Sequence, residues 1–290
     1  MPGTSPARSS GSTADGTPDV DNAAHFTLAD DGFQPTSYAQ SHWGADHLNG
    51  PAVVGLAARA LERECEDPDF PPTRLTVDLL RAARNAHTTA EVTVVRDGRR
   101  IRSAQCDVVQ RGTLVARATL VRYRRSTAPP GALWTNAQSF PTPPEPDGTI
   151  LPYVGSDEVG WTRSPGEHQN DSRKRFFNDS IDVVAGETNS AFVRAAMVAE
   201  ATSLVTNLGT GGVGYINGDL TVAFSRLPVD QWIGIQADSH HAADGIAVGT
   251  ATLFDRLGAF GSGMTTAIAN PAAQIDFSAR NFAPGAINYE

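Results

Sequence analysis

Leu75-Thr76-Val77-Asp78-Leu79-Leu80-Arg81 has a second version further along the chain, Leu220-Thr221-Val222-Ala223-Phe224-Ser225-Arg226. The offset is constant at 145 residues, from 75 to 220 and from 81 to 226. In both segments apolar and polar residues alternate and β-branched residues are frequent, the pattern of a strand with one buried face. Three more strand-like runs follow each copy. In the first half they cover about 89–96, 100–109 and 114–123, parted by turn signals at Asp97-Gly98 and Arg111-Gly112, as in antiparallel hairpins. In the second half they cover about 232–237, 245–254 and 259–268, with turns at Ala243-Asp244 and near Gly258.

A helix precedes each copy. Asn49-Gly50-Pro51 is a start signal, because proline in the first turn loses no hydrogen bond. Val54, Ala57, Ala58, Leu61 and Cys65 then recur at helical spacing. The second helix is expected from Thr188-Asn189-Ser190, with Val193, Met197, Leu204 and Leu208 on one stripe. The order of helix, four strands, helix, four strands is not βαβ alternation. It predicts antiparallel sheet with helices on one face, the α+β layout. Short strand-like pieces at 25–28 and 175–184 are expected to complete each sheet.

The resulting division is a disordered tail over 1–24, a first unit over 25–125, a Pro-rich connector over 126–173, a second unit over 174–272 and a C-terminal tail over 273–290. The first stretch, rich in Ser, Gly, Thr, Pro and Asp without an apolar run, cannot bury enough surface to order itself, and it is not a signal peptide. The connector holds Pro129-Pro130, Pro141, Pro143-Pro144 and Pro146. Its Trp134, Phe140, Tyr153 and Trp161 are too apolar for a free linker, so it should lie against the body.

Composition narrows the function classes. A net charge of −9 without a basic block argues against nucleic acid as the main partner. No run approaches the ~20 apolar residues of a membrane span. Cys65 and Cys106 form no redox or metal motif and are expected to be buried thiols in a reducing cytoplasm. No metal or cofactor is implied. Ser239-His240-His241 with Asp244 falls where a strand meets a turn and is expected to be exposed, and no Gly-x-Ser-x-Gly elbow is present.

Several of these segments resemble the double-hotdog acyl-CoA thioesterases, in particular the bacterial type II enzymes and their actinobacterial relatives. The segments are Trp43 to Pro51 running into Gly55 to Glu62, Phe70 to Asp78, Asp219 to Val222 with Arg226-Leu227-Pro228, Trp232, Leu253-Phe254-Asp255 and Gly258. The resemblance covers about 26–269. It implies two tandem hotdog units, each with a long central helix wrapped by an antiparallel sheet, and an acyl-CoA substrate. It leaves oligomeric state open, a homo-oligomer included.

Glu200 carries the chemistry in this reading. It lies three residues after Met197 and four before Leu204, which puts a carboxylate on an apolar helical stripe. Burial there raises its pKa unless a partner offsets it. A carboxylate so placed can orient a water molecule and take its proton. The resemblance adds that hotdog thioesterases carry an acid at this place on the helix. Where the type II enzymes carry a Thr before the second-half strand, this chain has Asn217. Where they carry a Gln on the last strand, it has Thr266, or Thr265 if the turn is one residue shorter. Asn49, Gly50 and Thr202 are the candidates for substrate binding, Gly50 because it lets backbone approach a substrate closely. The shorter Thr leaves a second reading open, a hotdog that holds an acyl thioester without hydrolysing it efficiently.

Overall fold

The computed structural model describes residues 23–278 except Cys65, Ala137 and Asp147. The expected disordered tail therefore lies outside the described residues apart from its last two positions, and so do Cys65 and the end of the C-terminal tail.

The chain opens with β1 (Ala24–Ala29), β2 (Gly32–Pro35), β3 (Gln40–Ser41) and β4 (Gly44–Leu48), then helix α1 (Gly50–Glu64). Four strands follow: β5 (Pro72–Leu79), β6 (Thr89–Asp97), β7 (Ile101–Gln110) and β8 (Thr113–Tyr123). Next come β9 (Tyr153–Ser156), β10 (Gly160–Thr162), β11 (Lys174–Asn178) and β12 (Asp182–Val184). Helices α2 (Ala191–Glu200) and α3 (Thr202–Asn207) lead into β13 (Leu208–Gly209), β14 (Gly212–Val213) and β15 (Tyr215–Asn217). The last four are β16 (Asp219–Phe224), β17 (Ile233–Ala243), β18 (Ile246–Asp255) and β19 (Gly258–Ala269).

One antiparallel sheet of twelve strands runs β10-β9-β11-β17-β18-β19-β16-β5-β8-β7-β6, with β15 pairing β19 off this path. The repeated segments sit at its centre, side by side: Leu75 pairs with Val222, Thr76 with Thr221 and Val77 with Leu220. Since 76 and 221 are one repeat apart, Thr76 faces its own counterpart, and a local twofold axis passes between them. The outer strands keep the same offset. Thr76 pairs with Thr119 and Thr221 with Met264; Ala104 pairs with Leu120 and Gly249 with Thr265. Even the irregularity at Val108/Val109 recurs 145 residues on, at Leu253/Phe254. Two four-stranded sets therefore match without net insertion or deletion, although the bulge of the outermost pair falls at Val94/Arg96 in one and two residues earlier in register, at Ala237/Ser239, in the other.

Helices α1 and α2 pack on one another in opposite directions over this sheet. Gly55 of α1 touches Met197 of α2 and Val183; a Cβ there would stand 3.0 Å from Met197 Sδ. The core is built from this contact and from the inner sheet face, with Leu56, Leu61, Leu75, Phe192, Leu220 and Ile235 fully enclosed.

Four expectations need correction. The second helix does not run as one long rod. At Ala201 the hydrogen-bond ladder tightens, its N–H bonding the Val198 carbonyl three residues back, and a short α3 resumes beyond it. Leu208 is therefore a strand residue, packed with Val213, Ile275 and Phe277 in a separate small core. β1 does not complete the main sheet: it joins β2 and β12 in a three-stranded one, pairing with β12 in parallel, so the predicted strand over 175–184 is two strands in two sheets. The C-terminal stretch begins as structure, since Ile275 bridges Val213 and is buried with Phe277. The connector divides: Phe140 stacks on Phe254 with ring centroids 5.0 Å apart and β9 and β10 extend the sheet, whereas Trp134 is 87% exposed.

Candidate active site

The antiparallel helix pair has two poles, and at each one a carboxylate from one helix meets the first turn of the other. At the first pole Glu200, the last residue of α2, lies against Gly50, the first residue of α1. Any side chain at Gly50 would overlap the Glu200 carboxyl, so the carboxyl holds this place only because residue 50 is glycine. Asn217 Nδ2 donates to Glu200 Oε1 at 3.2 Å. Part of the glutamate reaches the surface, but its carboxyl is enclosed, and burial raises it to about 7 against a smaller opposing effect of the Asn217 amide. The first-turn N–H groups of α1 point at this corner unsatisfied by any earlier turn. Pro51 has none, and Ala52 N–H goes to Asn49 Oδ1 at 2.8 Å, which leaves the Gly50 N–H.

The other sequence-selected residues divide. Asn49 caps α1, and its Nδ2 is already held by the Tyr38 and Gln40 carbonyls at 2.9 and 3.3 Å, so its amide serves the fold rather than a substrate. Thr202 is fully buried and donates to the Ala199 carbonyl at 2.6 Å. Thr265 is buried on the inner face of β19, and its hydroxyl donates to the Asp219 carbonyl at 2.8 Å. Thr266 points to the opposite face, and its N–H bonds Asp219 Oδ1 at 2.6 Å. Of the two, only Thr265 lies on the helix side. Arg226, the obvious rival partner for Glu200, forms a bidentate pair with Asp255 at 2.5 and 2.6 Å. His240 stands edge-on to Tyr215 and Ser239 bonds Thr250, and no group of residues able to hold a metal occurs among the described residues.

Two models of one family match the chain, the acyl-CoA thioesterase N-terminal domain over residues 39–123 and the acyl-CoA thioesterase C-terminal domain over 131–267. The chain belongs to the acyl-CoA thioesterase family. Both poles fall inside the matched segments. Among solved structures it is similar to the tesB protein of Mycobacterium avium subspecies paratuberculosis, at 17% identity over 80% of this chain and 94% of that one, with a TM-score of 0.57. Acyl-CoA thioesterase II TesB2 of Mycobacterium marinum matches at 19% over 76% and 88%, TM-score 0.56. A conserved protein with a hot dog fold from Alicyclobacillus acidocaldarius matches at 14% over 88% and 98%, TM-score 0.58. These likenesses establish the α+β hotdog fold. No curated protein matches by sequence. No helix among the described residues is long and apolar enough to cross a membrane.

The twofold axis brings a second pole that the sequence reading passed over. Glu62 of α1 lies beside Ser190, the residue that caps α2. Burial raises the Glu62 carboxyl, while Ser190 and the Arg122 guanidinium work against that rise. The signal was available: Glu62 follows Leu61 and Ala58 on the buried side of α1, as Glu200 follows Met197 on α2.

Proposed function

We propose that this protein hydrolyses fatty or modified acyl-CoA thioesters at the Glu200 pole, within two tandem hotdog units spanning 25–125 and 174–272 and joined by the connector over 126–173. The observation that carries the reading is the enclosed Glu200 carboxyl against Gly50 at the start of α1. Glu200 acts as general base: it takes a proton from water as the water oxygen attacks the thioester carbon. The Gly50 N–H receives the developing oxyanion, helped by the positive end of the α1 dipole. The C–S bond then breaks, and the thiolate leaves with the proton Glu200 had taken. Asn217 fixes one carboxylate oxygen and leaves the other for the water. Thr265 supplies a hydroxyl on the inner face near the end of β19, too short to replace an amide, so the water is held by fewer groups and turnover is slow.

A carboxyl near 7 is a better base at neutral pH than an ordinary glutamate, because proton affinity and ionised fraction are both high there. The test is thiol release from a series of acyl-CoAs, acetyl to palmitoyl, by the purified protein and by Glu200→Gln. Hydrolysis lost in the variant supports the reading; hydrolysis equal in both assigns the base elsewhere.

A further inference from the structure

Beyond Glu200 the polar side of the helix continues. Ser203 and Asn207 lie three and seven residues further on, four apart on one face of α3. Both are buried, Asn207 to 8% exposure. The Asn207 amide is unusual: both Nδ2 and Oδ1 are enclosed and neither has a hydrogen-bond partner among the described residues. Buried amides nearly always find partners, so this one takes its partner from outside the chain, as a water molecule or a bound ligand. Its position says where that partner would run. Met197 touches α1 at Gly55 and Glu200 meets it at Gly50; beyond the break, Asn207 closes α3, whose Leu204 packs with Trp43 on the small core of Leu208, Val213, Ile275 and Phe277. Ala201 keeps αR backbone at the break between α2 and α3, so at ~1.5 Å per residue Asn207 stands roughly 10 Å from Glu200. An extended thioester reacting at Glu200 would reach it.

We infer that Asn207 receives a hydrogen-bonding group of the thioester substrate, an amide or hydroxyl some 10 Å from the reacting carbon. This rests on the assignment of hydrolysis to the Glu200 pole. An asparagine amide offers one donor side and one acceptor side, the complement of another amide or of a hydroxyl. Such a group occurs in two parts of an acyl-CoA: the amides of the pantetheine arm, or a substituent on the acyl chain. A site built around a hydrogen bond rejects a substrate that lacks the group, because its own buried polar atoms stay unpaired.

The experiment uses Asn207→Leu, which keeps the branched shape without the polar atoms, in the full chain, with Asn207→Ala as a second variant if leucine does not fit. Thiol release is followed for decanoyl-CoA, 9-hydroxydecanoyl-CoA, whose hydroxyl lies near that distance on an extended chain, and S-decanoyl-2-mercaptoethanol, which lacks the amides. The expected result is a fall of about tenfold or more in kcat/KM for the substrate bearing the group, with little change for the one without it. If the pantetheine amides are the group, both CoA esters lose and the mercaptoethanol thioester does not. If the acyl substituent is the group, only the hydroxyacyl ester loses. The ligand-free variant should also melt at least as high as the parent, by about 2–4 °C more, because an unpaired buried amide has been removed. A lower melting temperature with unchanged kcat/KM on all three thioesters would overturn the inference and make Asn207 a structural residue. Loss of activity in Glu200→Gln alongside that result leaves the hydrolytic reading intact, so the two failures are distinguishable.

Discussion

The two poles of the helix pair start from one pattern and end as different chemistry. The register makes the difference readable residue by residue. Asn217 on β15 pairs with Ala267 on β19; 145 residues earlier the same pair is Pro72 and Arg122. One pole thus has a neutral amide donor beside its carboxylate, and the other a guanidinium that is 4% exposed and also donates to the Glu62 carbonyl at 3.4 Å. At the helix starts, glycine makes room for Glu200, while a serine hydroxyl meets Glu62. Beside Glu62, Arg59 holds Glu187 in a bidentate pair at 2.7 and 2.8 Å, tying α1 to the approach of α2. In the proposed reading, a neutral, crowded corner leaves one buried carboxyl free to act as a base, while a corner with a cation and a hydroxyl makes the same residue type a clasp.

The sharpest test of that contrast is the matched pair of amide substitutions. Glu200→Gln is expected to lower kcat by ~10²–10⁴-fold, the usual worth of a general base, while Glu62→Gln leaves kcat within about twofold and lowers stability instead. Equal losses in thiol-release assays would erase the distinction.

Next in size is Gly50→Ala. Its Cβ would overlap the Glu200 carboxyl, which must swing away from the α1 start. A displacement of about 1 Å is worth up to ~100-fold in kcat. The matching change at the other pole, Ser190→Ala, removes the cap that accepts the Val193 N–H at 3.1 Å, and is expected to cost about 1 kcal/mol in denaturant unfolding with no loss of kcat.

The third test is pH. Glu200 is raised from 4.5 to about 7, so kcat/KM should rise with pH and level off above about 7. Stability runs the other way. Between 4.5 and 7 the folded state binds more protons at this site than the unfolded chain, so the stability this gives falls as pH rises through that window. Glu200→Gln should flatten the fall in melting temperature from pH 5 to 7.5; an unchanged slope would mean that the carboxyl is not enclosed. The smallest effect is expected at Arg63, which also reaches Glu187 but is 61% exposed: Arg63→Ala should change stability by under about 0.5 kcal/mol, against a larger loss for the mostly buried Arg59→Ala.

Much of this frame was legible in the chain. The alternating runs marked all eight repeat strands, since most have one face on the core and one toward solvent, and the constant offset made them equivalent. Glu200 was legible as a charge out of place on an apolar stripe. The helix break after it was not, because Ala201 is a good helix former and nothing local ends the helix. Its cause is tertiary. Thr202 bonds back to Ala199 and Thr206 to Thr202, a habit that bends helices, and α3 sits close on β18 and β19 because Gly249 and Gly263 lie beneath these threonines. The first-half counterparts are Ala104 and Ala118, where α1 runs unbroken. Asn207 was hidden for a related reason: a polar residue at the end of an expected helix reads as surface, and its burial comes from tertiary packing of α3. β1 pairing with β12 depends on a contact between residues 158 positions apart, 24 with 182 and 26 with 184, which no local pattern encodes.

The register through Thr76 and Thr221 has a consequence for what this molecule can become. In an assembly of two identical chains, any substitution near such an axis enters twice, so an arginine introduced to quench one carboxylate would quench both. Here the two copies are covalently one chain. Arg122 can stand at one end while Ala267 stays at the other, and a mutation in either half is inherited without its mirror image.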